Sequence, residues 1–97
     1  MVEKGSKRGT YRFAVNPEKL GLAPGDRGGV ELAGDFNGWQ PQRMRKNNKG
    51  QCVAVVSLEP GTYEYKFLAG GQWHVDPDHS DWAANQFGTL NSVTTVA

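Results

Sequence analysis

The chain holds a single cysteine, Cys52, in 97 residues. That excludes an internal disulfide, and one thiol falls short of a zinc site. Cys52 begins the apolar run Cys52-Val53-Ala54-Val55-Val56, so a buried structural thiol is expected. Neither His74 nor His79 is placed to activate it. Charge of one sign is also scarce: the formal net charge is only +1, which argues against a broad basic field for nucleic acid. No long hydrophobic run is present. The first nine residues carry charge with no apolar stretch behind them, so neither a secretory signal nor a membrane anchor is expected, and a cytoplasmic setting follows by default. Helical periodicity of useful length is missing as well.

What is present suits a small β domain. The hydrophobic share of 37% omits 13 glycines, and with them the chain nears the roughly 45–50% of globular proteins. Residues 1–9 are expected as a flexible tail and 10–97 as one domain, a common domain size. Short alternating runs recur. Residues 11–15 put Tyr11, Phe13 and Val15 on one face, and 16–29, with its prolines and glycines, is expected as a long loop. Residues 30–33 form a second strand, closed by the turn-rich Gly34-Asp35-Phe36-Asn37-Gly38. A polar connection over 40–50 leads to a strand at 52–58. Residues 62–68 alternate Tyr63, Tyr65 and Phe67 against Glu64, Lys66 and Leu68. Gly70-Gly71 is a hairpin turn, 72–76 the returning strand, 76–89 a long polar loop and 90–96 the last strand. Six or more short strands at this spacing indicate a β-sandwich.

The hairpin carries a geometric consequence. With Gly70-Gly71 at the turn, Leu68 faces Trp73, Ala69 faces Gln72 and Lys66 faces Val75. If the Tyr63/Tyr65/Phe67 face is the core, Trp73 and Lys66 point outward together. Trp39 closes the preceding turn. From pattern alone it either caps the core edge or joins Trp73 in an exposed aromatic platform. Flat indoles can cover the C–H faces of a glucose ring, while placed polar groups address its hydroxyl rim.

The segment Val30-Glu31-Leu32-Ala33-Gly34-Asp35-Phe36-Asn37-Gly38-Trp39 resembles the opening signature of family-forty-eight carbohydrate-binding modules. That family includes the glycogen-binding domain of AMP-activated protein kinase beta subunits and the N-terminal domains of glycogen branching and debranching enzymes. Three further stretches match in order: Pro60-Gly61-Thr62-Tyr63-Glu64-Tyr65-Lys66-Phe67, then Gly71-Gln72-Trp73 with Asp76-Pro77, then Phe87-Gly88-Thr89-Leu90-Asn91-Ser92. Four collinear stretches make a specific signal.

The resemblance implies an all-β, immunoglobulin-like (early-set) sandwich with a shallow surface site for α-1,4-glucan. Trp39 and Trp73 match the family's sugar-stacking tryptophans. Lys66 and Asn91 match residues that hydrogen-bond sugar hydroxyls, Thr89 a threonine of the binding loop, and Phe87 the apolar residue that pushes up beside the glucan. Leu68, Gln72 and Trp82 are possible secondary contacts. Gly70 stands where the family often has an acidic residue, which implies a looser hairpin. Asp78-His79-Ser80-Asp81-Trp82 replaces a more apolar stretch; Trp82 is expected to pin this loop, with a third stacking surface as the alternative.

Other chemistry is set aside. Asp76-Pro77-Asp78-His79-Ser80-Asp81 lacks the glycine and distal glutamate of a calcium loop, and the histidines lack zinc-ligand spacing. No cofactor, metal or catalytic residue is expected. Glycoside hydrolysis needs two carboxyl groups flanking one bond in a cleft, and a sandwich this small offers a surface. Arg43, Arg45, Lys46 and Lys49 read as a solvated connection. Two functions remain. One is a non-catalytic module that brings an associated activity to glycogen, starch, maltooligosaccharide or cyclodextrin. The other is a structural domain that packs against a glucan-active enzyme or kinase complex without sugar affinity. Neither nucleic acid nor membrane is an expected partner.

Overall fold

The computed structural model describes residues 1–22 and 29–97. Its strands are β1 (Val2–Lys4), β2 (Thr10–Val15), β3 (Val30–Gly34), β4 (Gln42–Arg43), β5 (Arg45–Lys46), β6 (Cys52–Ser57), β7 (Gly61–Ala69), β8 (Gln72–His74), β9 (Trp82–Ala84) and β10 (Leu90–Val96). Each long strand is an alternating run rich in Val, Thr and aromatic residues, which fit a pleated surface with one face buried. One sheet runs β1-β2-β6-β5. The other runs β4-β3-β7-β10-β9, with β8 also paired to β7. Every pairing is antiparallel. The all-β sandwich expected from strand spacing is what forms.

The core lies between the sheets. Phe13 and Val15 of β2 meet Val30 and Leu32 of β3 and Tyr65 and Phe67 of β7, all at 1% exposure or less. Tyr65 is the hub: its ring meets Phe13 edge-on at 5.0 Å and Phe67 at 5.9 Å. Full burial of a Phe- or Leu-sized side chain contributes about 1.5–3 kcal/mol, so these inner-face residues dominate stability. Cys52 is buried in this core, as expected, and burial pushes its thiol pKa up.

Tyr65 also carries a polar group into the interior. Its hydroxyl donates to the carboxylate of Asp76, 2.7 Å away, and Asp76 is itself buried. The Asp76 N–H donates to Ser92 Oγ and the Asp78 N–H to Asp76 Oδ1. These bonds staple the start of the long 76–89 connection beneath β7 and β10. His79 packs beside the Tyr65 ring and hydrogen-bonds the Val93 carbonyl, and Asp78 pairs with Lys19 at 2.6 Å. Asp76, Asp78 and His79 thus serve as structural ties.

Several expectations are corrected. Residues 1–9, expected as a flexible tail, contribute β1, whose pairing with β2 extends from Val2↔Phe13 to Lys4↔Tyr11; the backbone of an edge strand satisfies its hydrogen bonds there. The 40–50 connection contains β4 and β5, and the 76–89 loop contains β9, because each segment lies along an open sheet edge. The strand expected over 72–76 ends at His74, where the chain turns inward to bury Asp76. Within the expected 16–29 loop, Pro17–Leu20 form one 3-10 turn capped by Asn16; residues 23–28 of that loop lie outside the described residues. The hairpin is tight where a looser one was expected. Pairing runs up to Ala69↔Gln72, with Gly70 and Gly71 at φ of 59° and 75°, values an L-residue adopts only with strain.

Candidate functional site

The site is built on the outer face of the β3-β7-β10 sheet and on two turns that rise beside it. The first turn follows β3. Gly34 permits it by close approach: a Cβ there would stand 2.6 Å from the Phe36 ring and 2.7 Å from the Glu64 carbonyl. Asn37 locks the turn, accepting from the Gly34 N–H at 3.0 Å and donating to the Leu32 carbonyl. The chain leaves through Trp39, the one described non-glycine residue in the left-handed region, at φ 61°. Two bonds hold it: its N–H reaches the Gly34 carbonyl, and its indole Nε1–H donates to Asp35 Oδ1, each at 3.0 Å. Asp35 Oδ2 accepts from the Glu64 N–H at 2.8 Å, so one carboxylate ties the indole to β7.

The sheet supplies the floor. Alternation along β7 sends Tyr65 and Phe67 inward and Glu64 and Lys66 outward. The observed register sets Leu68 opposite Trp73 and Ala69 opposite Gln72, as the hairpin geometry requires. Trp73 is 46% exposed, which places an indole in solvent on the outer face. Lys66 shares that face but is only 8% exposed. Neighbours cover its stem, and its Nζ donates to Thr89 Oγ1 at 3.0 Å. Asn91 of β10 is equally covered, donating from Nδ2 to Glu64 Oε1 at 3.1 Å.

The second turn, between β9 and β10, lifts Phe87 to 80% exposure. With these parts assembled, an open groove of about 1290 Å³ runs across the face. Trp39, Lys66, Trp73, Phe87, Thr89 and Asn91 all line it. Leu68, Gln72 and Trp82 do not. Trp82, expected to pin its loop with a third stacking surface as the alternative, sits on edge strand β9 at 54% exposure, because pairing with β10 leaves its indole without a covering layer.

Residue reasoning passed over Asp35, Glu64, Asn85 and Leu90, which also line the groove. Glu64 could have been found, since it shares the outward alternation of Lys66. Asn85 gave no sequence signal, because its importance lies in a loop's hydrogen bonds.

Two indoles, a phenyl ring and a floor of amide, hydroxyl and ammonium groups form a surface matched to a ligand with apolar faces and many hydroxyls. The carboxylates present are already engaged: both Asp35 oxygens are hydrogen-bonded, and Glu64 holds Asn91. Among the described residues no three His, Cys, Asp or Glu side chains converge as metal ligands.

The chain belongs to the family described as the glycogen recognition site of AMP-activated protein kinase, which matches residues 24–97. It is 46% identical over 55 residues to the chloroplastic Protein PTST homolog 2 of Arabidopsis thaliana, a match that covers 56% of this chain and 10% of that protein. It is 37% identical over 67 residues to 5'-AMP-activated protein kinase subunit beta-1 of Sus scrofa, covering 69% of this chain and 53% of that subunit. The chain thus spans between a tenth and about half of these relatives' length. Among solved structures, apo pullulanase from Paenibacillus barengoltzii aligns over 93% of this chain and 14% of its own, at 21% identity and a TM-score of 0.49.

Proposed function

We propose that the chain is a non-catalytic module that holds α-1,4-glucan in this groove and brings an associated activity to glycogen or starch. The observation that carries the reading is the convergence of Trp39, Trp73 and Phe87 with Lys66, Thr89 and Asn91 along one groove. Residues scattered over 53 positions of sequence, from 39 to 91, meet on one face, and a domain used only for packing has no need of the exposed Trp73 and Phe87 rings beside polar groups that keep donors to spare. Family membership supports the same reading. The indoles stack on the apolar faces of successive glucose rings, Phe87 wedges beside them, and Lys66, Thr89 and Asn91 address hydroxyls.

The engaged state of Asp35 and Glu64 supports a binding role, since hydrolysis needs a free acid and a free base or nucleophile across the bond. An open site with few hydrogen bonds gives affinities in the micromolar to millimolar range. The partial coverage of its relatives supports action as one part of a larger protein or complex, in which a glucan-active enzyme or kinase subunit supplies the chemistry. The test is a calorimetric titration with maltoheptaose and β-cyclodextrin. We expect saturable heat that Trp39→Ala and Trp73→Ala each reduce at least about tenfold in affinity, the loss of one stacked ring. Unchanged affinity in both variants would refute the site; no heat with the parent chain would refute the function.

A further inference from the structure

We infer that Asn85, which contacts no sugar itself, is the positioning residue of the groove and turns the Thr89 hydroxyl outward as a hydrogen-bond donor. This deepens the glucan-binding reading and rests on it. The loop from Asn85 to Thr89 closes on itself, with the Asn85 N–H donating to the Thr89 carbonyl at 2.9 Å and the Gly88 N–H to the Asn85 carbonyl at 3.2 Å. Into this ring the Asn85 side chain is set with all of its capacity used. The backbone N–H groups of Phe87 and Thr89 donate to its Oδ1 at 2.9 and 3.2 Å. Its Nδ2 donates to Thr89 Oγ1 at 2.7 Å and to Asn91 Oδ1 at 3.0 Å. A primary amide offers two donor hydrogens and two acceptor lone pairs, and here all four are spent inside the protein.

The two backbone donors also settle which amide atom is oxygen, since an NH₂ group could accept from neither. That polarity propagates. Thr89 Oγ1 accepts from Asn85 and also from the Lys66 ammonium at 3.0 Å. Both hydroxyl lone pairs are occupied, so its proton is left to point into the groove. Asn91 must turn Oδ1 toward Asn85, which directs its NH₂ group to Glu64. One amide orientation, set by two main-chain N–H groups, therefore decides what Thr89 and Asn91 can offer a ligand. The same ring holds the Phe87 side chain clear of the sheet at 80% exposure.

Replacement by aspartate separates these roles. Asn85→Asp keeps an acceptor for the Phe87 and Thr89 N–H groups but exchanges the amino donor for a carboxylate oxygen, which draws the Thr89 hydroxyl proton inward. The experiment is a maltoheptaose titration of the full chain as parent, Asn85→Asp, Asn85→Ala, Thr89→Val and the Asn85→Asp/Thr89→Val pair. Amide exchange at Phe87 and Thr89 is followed by NMR in the free proteins. Asn85→Asp should retain amide protection yet bind about tenfold more weakly, the loss of one placed hydrogen bond. Asn85→Ala should lose both protection and affinity. The double variant should bind no more weakly than Asn85→Asp alone, since both changes remove the same donor. A binding parent whose Asn85→Asp variant binds equally well would overturn the inference while leaving the glucan reading intact. Losses that multiply in the double variant would overturn it too. A parent that gives no heat would remove the glucan reading, and this inference with it.

Discussion

Trp39 holds a backbone conformation that costs a non-glycine residue on the order of 1–3 kcal/mol, and it does so at the groove rather than in the core. The strain is held by Asp35, whose two oxygens grip the indole and the Glu64 N–H. Tyr65 is the opposite kind of residue, wholly buried with one polar atom satisfied by Asp76. Burial foremost, then the Asp76 charge and its hydrogen bond, push the Tyr65 hydroxyl far above its ordinary value of 10.0. A raised folded pKa means that the unfolded chain releases this proton first as pH rises. The stabilisation is therefore fully present below about pH 10 and is lost progressively above it. Tyr65→Phe should cost about 2 kcal/mol at neutral pH, the worth of a hydrogen bond to a charged group. It should also remove that share of the alkaline decline. Urea denaturation of both proteins from pH 7 to pH 11 checks this, and parallel curves would contradict it.

At the scale of elements, β7 decides the site, because its inner face is the core and its outer face is the groove floor. The β7–β8 hairpin delivers Trp73, and its two-residue turn keeps both glycines at positive φ. Among the described residues, the only atom near a new Cβ at Gly70 would be Leu22 Cδ2 at 3.6 Å, an ordinary contact, and a Cβ at Gly71 would meet none. The cost of alanine is then conformational, about 1–2 kcal/mol per site. Gly71→Asn should cost less than Gly71→Ala, since asparagine visits the left-handed region more readily. Thermal melts of the two Gly71 variants test this ordering. Maltoheptaose affinity should fall in the Gly70→Ala/Gly71→Ala pair as β8 loses its register. The same strand was legible in sequence because period two and a Gly-Gly turn leave one register that buries the tyrosines. β1, β4, β5 and β9 were not, being only 2 or 3 residues long and formed along edges that exist only once the central strands have paired.

Over the whole molecule, a radius of gyration of 12.8 Å matches the compactness of about 100 folded residues. The groove and the core share a single sheet. A formal net charge of +1 leaves little long-range field to steer an anion. Binding of a neutral glucan by ring stacking and short hydrogen bonds should therefore be nearly independent of ionic strength. Maltoheptaose affinity should change less than about twofold between roughly 0.05 and 0.5 M salt, since screening weakens only charge-driven association. A steep salt dependence in the same titration would point to an anionic ligand instead.

The amino-acid sequence by itself determined the sandwich and its inward face, because alternating Tyr63, Tyr65 and Phe67 admit one arrangement that removes them from water. It also determined that Lys66 and Trp73 share the outer face, since side-chain direction along a strand follows from counting residues. Only the tertiary structure decided how that face works. It sank Lys66 and Asn91 beneath their neighbours and left Trp82 on an open edge outside the groove. It gave Asp35 and Asn85 their roles as clamps. Burial and hydrogen-bond partnership depend on which distant segments arrive beside a residue, and no local period encodes that arrival.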